Sequence, residues 1–167
     1  MSINSIPGRW LGIDPGLAII GWAVLSSLEQ QSLELLDYGT IETHKDLPTP
    51  ARLLEIEEDI GAILREFEPE NVAIEMPFFN RQIKAAGGVI QALGVINLVI
   101  YRQMRYCPIF LHQSSWKCHL GNGKATKSEV AAILQQFFDL ADLPIDDSVD
   151  AIGIALAGLN GVRNQIH

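Results

Sequence analysis

The four residues Asp147-Ser148-Val149-Asp150 constrain this chain more than any other stretch. Carboxylates at i and i+3 share one face of a helix. The eight residues that follow, Ala151-Ile152-Gly153-Ile154-Ala155-Leu156-Ala157-Gly158, are all small or apolar. A helix of that composition can lie very close to a sheet, because small side chains let two backbones approach. Two unpaired carboxylates at the mouth of such packing are costly without a counter-charge. This end of the helix therefore requires solvent or a cation, and the question for the remaining residues is what else converges there.

At 167 residues the chain is long enough for one domain with a sizeable core. Its 48% hydrophobic and 19% charged composition is globular. The longest nearly apolar run, residues 85–101, contains Gln91 and Asn97 and begins beside Gly87 and Gly88, so it reads as a buried helix and excludes a membrane span. Cys107 and Cys118 form neither a disulfide framework nor a zinc site. The location expected is a reducing cytoplasm with nucleoid association, although a removed organellar targeting peptide would leave no trace. The net charge of −8 argues against a polyanion partner, but its distribution argues for one. Residues 76–128 hold Arg81, Lys84, Arg102, Arg105, Lys117, Lys124 and Lys127 and no Asp or Glu.

Taken in order, residues 1–8 read as a disordered leader and 9–162 as one domain. Three strands are expected early: Trp10–Ile13, ending in the turn Asp14-Pro15-Gly16; Gly21–Leu25; and Leu33–Ile41 with Gly39 at a bulge. A helix opens at Thr49-Pro50, carries Leu53, Ile56, Ile60, Ile63, Leu64 and Phe67 on one stripe, and stops before Pro69. Val72–Glu75 is a short buried strand ending on a carboxylate. A long helix over Arg81–Arg105 is apolar on nearly all sides in its middle, so one face packs on the sheet and the other is a candidate dimer seam. Pro108–Leu111 is a fifth strand, and Ser114 or Ser115 caps a short helix. Thr126 and Glu129 form a capping box for a helix reaching Phe138. The order predicts an α/β fold: a mixed five-stranded sheet, antiparallel meander plus parallel strands, flanked by helices.

In such a sheet Asp14 ends the first strand and Glu75 the fourth, while Asp147 and Asp150 open the last helix. Four hard oxygen donors on rigid elements suit two Mg²⁺ ions, with Mn²⁺ as an alternative. Each residue also has a plainer reading. Asp14 before Pro-Gly can be a turn residue, and Asp147 can be a helix N-cap. Asp150, one turn in, is not explained by capping.

The motifs resemble those of the RuvC family of Holliday-junction resolvases, within the RNase H-like nuclease superfamily. The matching stretches are Gly12-Ile13-Asp14-Pro15-Gly16, Ala73-Ile74-Glu75 with Phe78 three residues on, and Gln91-Ala92 with Gly94. Trp116-Lys117, the run from Gly121 to Val130, and Asp147-Ser148-Val149-Asp150-Ala151 complete the set. The resemblance spans about residues 9–160. It implies an RNase H-like fold and a homodimer that cuts four-way DNA junctions, with a branch-migration helicase as a candidate partner. It makes Asp14, Glu75, Asp147 and Asp150 the metal-binding catalytic set, Phe78 a base-stacking aromatic, and Lys117 and Lys127 neighbours of the scissile phosphate. Arg81, Lys84 and Lys124 are further DNA-binding candidates from the charge pattern. The chain departs from the family at Leu93, where a basic residue is expected, and at its end after Gly158.

Other readings of the same scaffold are an RNase H-like nuclease with another DNA or RNA substrate, and a non-catalytic junction-binding dimer. An actin-like or sugar-kinase fold shares the Asp-x-Gly hairpin but needs two lobes, and this length supplies one.

Overall fold

The computed structural model describes residues 6–27, 33–77, 83–143 and 146–162, with the backbone alone for 83–86. Five strands form one sheet: β1 (Gly8–Asp14), β2 (Ile19–Ser27), β3 (Leu33–Glu42), β4 (Asn71–Glu75) and β5 (Ile109–Leu111). Their order is β3-β2-β1-β4-β5. The first three strands are antiparallel, whereas β4 runs parallel to both β1 and β5. This is the mixed RNase H-like sheet expected from the meander followed by βα units. The helices are α1 (Thr49–Phe67), α2 (Ile83–Met104), α3 (Gln113–His119), α4 (Lys127–Phe138) and α5 (Asp147–Leu159).

Alternation along the strands sends side chains into two cores. On one face of the sheet Leu11, Ile13, Ile20, Val24, Val72 and Ile74 meet the buried stripes of α1 and α2. On the other face Trp10, Ala23, Leu25 and Ala73 meet α5, with α4 and α3 behind it. Every residue of α5 from Ser148 to Leu159 is buried. Glycines on both partners make this possible. A Cβ at Gly12 would stand 2.1 Å from the Ala151 carbonyl oxygen, and one at Gly21 would stand 2.0 Å from that of Asp147. In return, Gly153 of α5 leaves room for the Trp116 ring and Gly158 for the Trp10 ring.

Several local expectations change. Residues 6–8, expected in the leader, belong to the fold: the Ile6 N–H donates to the Leu159 carbonyl at 2.8 Å, and Gly8 already opens β1. Residues 1–5 lie outside the described residues. The irregularity in β3 falls where Val24 pairs with Asp37 and Leu25 with Leu35, so Leu36 is the extra residue. Gly39 pairs regularly with Trp22, whose ring would crowd a Cβ there at 3.2 Å. Neither Ser114 nor Ser115 caps α3, because the helix begins at Gln113 with His112 at the cap position. The α4 capping box between Thr126 and Glu129 is present in both directions. No described helix is long and apolar enough to cross a membrane.

The contact at Gly21 predicts an outcome that links packing to the site. Gly21→Ala must push the start of α5 off β2, at a cost on the order of 1–3 kcal/mol or more. Thermal unfolding should show the loss, and divalent-cation binding should weaken with it because Asp147 moves. An unchanged melting temperature would show that α5 does not rest on this glycine.

Candidate active site

Ile13 and Ile74 are register partners in the parallel pair, so Asp14 and Glu75 leave the sheet at the same level. This is the carboxyl end of neighbouring parallel strands, where α/β folds place their ligands. The first turn of α5 crosses above, held down at Gly21. Asp146 caps this helix, its Oδ1 accepting from the Ser148 N–H at 2.9 Å and from the Ser148 hydroxyl at 2.5 Å. With its neighbour capping, Asp147 is not a cap and turns its carboxylate elsewhere.

Carboxylate oxygens of Asp14, Asp147 and Asp150 lie within 4.8 Å of one another. Asp150 is 6% exposed, and its Oδ1 is buried with no hydrogen-bond partner among the described residues. Glu75 stands at the edge of this group, with Oε2 accepting from the Trp116 indole N–H at 2.7 Å. Lys127 supplies the counter-charge from the first position of α4. Its Nζ lies 2.5 Å from Asp147 Oδ1 and 3.2 Å from Asp150 Oδ2.

Burial and mutual repulsion govern the proton affinities. Burial, with the charges of Glu75, Asp150 and Asp147 added, pushes Asp14 up to about 8, while Lys127 opposes the rise. Burial also raises Glu75, against the Trp116 hydrogen bond and the Lys117 charge. Asp150 is raised by burial and held back chiefly by Lys127. Burial lowers the proton affinity of Lys127, but its bonds to Asp147 and Asp150 outweigh this and leave the ammonium above its ordinary range. Three converging hard oxygen donors, one with an orphaned buried oxygen, fit a hard divalent cation.

The other expected residues are dispersed. Lys117 is buried at 9% exposure, donates to the Ala125 carbonyl at 3.0 Å and lies over the Trp116 ring. Its charge acts on Glu75 and Asp150 from inside the protein. Lys124 is exposed on the glycine loop. Phe78 and Arg81 lie outside the described residues; Lys84 belongs to α2, and its side chain is likewise outside them. The basic block is also less free than its charge count implies, because Arg102 pairs with Glu57 at 2.5 Å.

Two contributors escaped the sequence reading. The consecutive Asp146-Asp147 pair was itself the signal that one carboxylate caps and the other is released. Trp116 was noted only as part of a motif, and nothing in its spacing shows that its indole reaches Glu75.

A profile of the family described as crossover junction endodeoxyribonuclease RuvC matches residues 10–158. Over 158 residues the chain is 73% identical to the crossover junction endodeoxyribonuclease RuvC of a Synechocystis strain, covering 95% of each chain. The solved structure of Thermus thermophilus RuvC is 29% identical, with a TM-score of 0.79 over 93% of this chain and 98% of that one. T. thermophilus RuvC in complex with a Holliday junction substrate is also 29% identical, with a TM-score of 0.83 over 92% and 94%.

The raised affinity of Asp14 for its proton sets a pH dependence. The folded chain without metal holds this proton more tightly than the unfolded chain, whose carboxyl titrates near 3.8. Stability from this group is therefore complete below about pH 4 and is lost as pH rises through about 8. In a chelator, melting temperature should fall across that window, and Asp14→Asn should flatten the fall. A divalent cation competes with the proton, so its stabilisation should be larger at pH 8.5 than at pH 6. A cation effect independent of pH would dissociate Asp14 from the binding site.

Proposed function

The chain belongs to the crossover junction endodeoxyribonuclease RuvC family, and from that membership we infer that it is a nuclease that resolves Holliday junctions. Its family carries dependence on a divalent metal, and the carboxylate cluster supplies the matching donors. The observation that carries the reading is the convergence of Asp14, Asp147 and Asp150 at the carboxyl end of β1, with an orphaned oxygen on Asp150.

In this proposal Asp14, Asp147 and Asp150 hold the metal, and Glu75 completes the set from the strand beside Asp14. Two Mg²⁺ ions, when bound, supply an activated water and neutralise charge at the leaving oxygen. The chain's own residues fix the geometry. The rigid strand end holds Asp14, the α5 packing holds Asp147 and Asp150, and the Trp116 N–H orients Glu75. Lys127 lies against the same carboxylates and reaches a phosphate seated over them, where a preorganised cation stabilises developing negative charge. Lys117 acts from within as a buried counter-charge. Lys124, exposed on the glycine loop, grips backbone phosphate, as do Arg81 and Lys84. Phe78 stacks on an unpaired base. The nuclease unit we propose is residues 9–162, extended at its start by Ile6 and Gly8, which pack and pair with it.

We extend the reading to assembly. Cutting two opposed strands symmetrically requires two active sites, and α2 offers a seam. Ile90, Leu98 and Tyr101 are 50%, 54% and 50% exposed along α2, with Gly94 between them. Nothing within 4 Å would oppose a Cβ at Gly94, so this small residue serves no packing inside the chain. An apolar stripe of this kind on a soluble helix marks an interface.

Two sets of measurements test these assignments. On synthetic four-way junctions, Asp14→Asn and Asp150→Asn should cut roughly 1,000-fold more slowly or worse, because metal-derived charge stabilisation is lost. Junction affinity measured in Ca²⁺ should stay within a few-fold of wild type. Wild-type preference for plain duplex or an RNA–DNA hybrid over the junction would replace the substrate. In sedimentation at micromolar concentration, the wild-type chain should be a dimer, and Gly94→Glu or Leu98→Glu should be monomeric with symmetric cutting lost. A monomeric wild type would remove the seam assignment.

A further inference from the structure

A groove of about 720 Å³ opens beside the carboxylates, walled by Gly16, Arg52, Gly87, Gly88 and Gln91 and reaching Asp147. Arg52 lies in the first turn of α1, half-buried, and it falls outside the acid-free block that drew attention in the sequence. Its Nε donates to Thr43 Oγ1 at 2.8 Å. Thr43 is 7% exposed; its hydroxyl donates to the Leu17 carbonyl at 2.6 Å and its N–H to the Ala18 carbonyl at 3.0 Å. The guanidinium is thereby clamped to the β1–β2 turn, three and four residues beyond Asp14.

What the clamp lacks is a negative charge. Among the described residues no carboxylate lies within ion-pair distance of Arg52. The first turn of α1 contains no acidic residue. By contrast, Arg102 meets Glu57 and Lys127 meets two aspartates. A neutral hydroxyl orients the Arg52 fork without neutralising it, and the remaining N–H donors suit a phosphate. Two glycines of α2 line the same groove. A Cβ at Gly87 would meet nothing within 4 Å, so glycine there leaves open space, whereas Gly88 is needed for packing on Leu17.

We propose that Arg52 binds a backbone phosphate of the DNA strand being cut, and that this groove carries that strand away from the carboxylates. The inference rests on the junction-nuclease reading and adds a contact to it. It also addresses how a chain of net charge −8 holds a polyanion beside a cluster of aspartates. Repulsion from Asp147 at one end of the groove is met by a fixed, uncommitted cation on its wall. Arginine suits this task better than lysine, because its charge survives partial burial and its fork is set by a single hydrogen bond.

The test measures junction binding in Ca²⁺ across a salt series, with thermal unfolding alongside. Arg52→Gln keeps an N–H donor for Thr43 and removes the charge. It should weaken binding about tenfold or more, as loss of a charge-assisted bond does. The slope of log affinity against log salt should fall by about 0.7–0.9, one phosphate contact. Arg52→Lys should keep the slope and lose part of the affinity. Thr43→Val, which releases the clamp, should do the same. If Arg52→Gln lowers the melting temperature while the slope stays at the wild-type value, Arg52 is only a structural tie and the proposal is overturned. If instead wild type itself shows no junction binding, the junction reading fails first, and the two failures are told apart by the wild-type control.

Discussion

The contact between α5 and the first two strands is the constraint on which the site depends. Helix and sheet meet at backbone distance because Gly12 and Gly21 remove side chains from the strands, and α5 is small or apolar throughout its length. That approach serves two ends at once. It buries an entire helix, the largest apolar contribution on that side of the sheet. It also brings Asp147 and Asp150 down to the level of Asp14. The same packing that stabilises the fold therefore forces like charges together.

The chain meets this repulsion with distinct devices. Lys127 is an external counter-ion anchored by the capping box that starts α4. Lys117 is an internal one, buried under Trp116 and fixed to the Ala125 carbonyl. Trp116 gives Glu75 a neutral hydrogen bond. None of these compensates Asp150 Oδ1, which stays without a partner, and Asp14 retains its proton to unusually high pH. Residual strain of this kind is characteristic of functional centres.

Much of the architecture was legible because its signals are local. Strand alternation, the α1 stripe, the Thr126–Glu129 box and the small residues after Asp150 each point to one element, and their order points to a mixed sheet. What escaped depends on long-range geometry. The bulge in β3 reflects how that strand meets Val24 and Leu25, whereas Gly39 reflects the Trp22 ring lying over it. The start of α3 carries no side-chain cap at all, with His112 rather than a serine at the cap position. The resemblance sets Lys117 beside the scissile phosphate, whereas in the fold it is buried against the Trp116 ring, because sequence cannot tell a lysine that faces solvent from one folded inward. Arg52 went unnoticed because its isolation from acids exists only in space; along the chain it is followed by Glu55, Glu57 and Glu58.

Lys127 also stands where its own helix disfavours it. A lysine at the first position of a helix sits against the positive end of the backbone dipole, an unfavourable location by itself. Here it is compensated by two aspartates. A cation taken up by Asp147 and Asp150 would compete with the ammonium for the same oxygens and leave the lysine free to turn elsewhere.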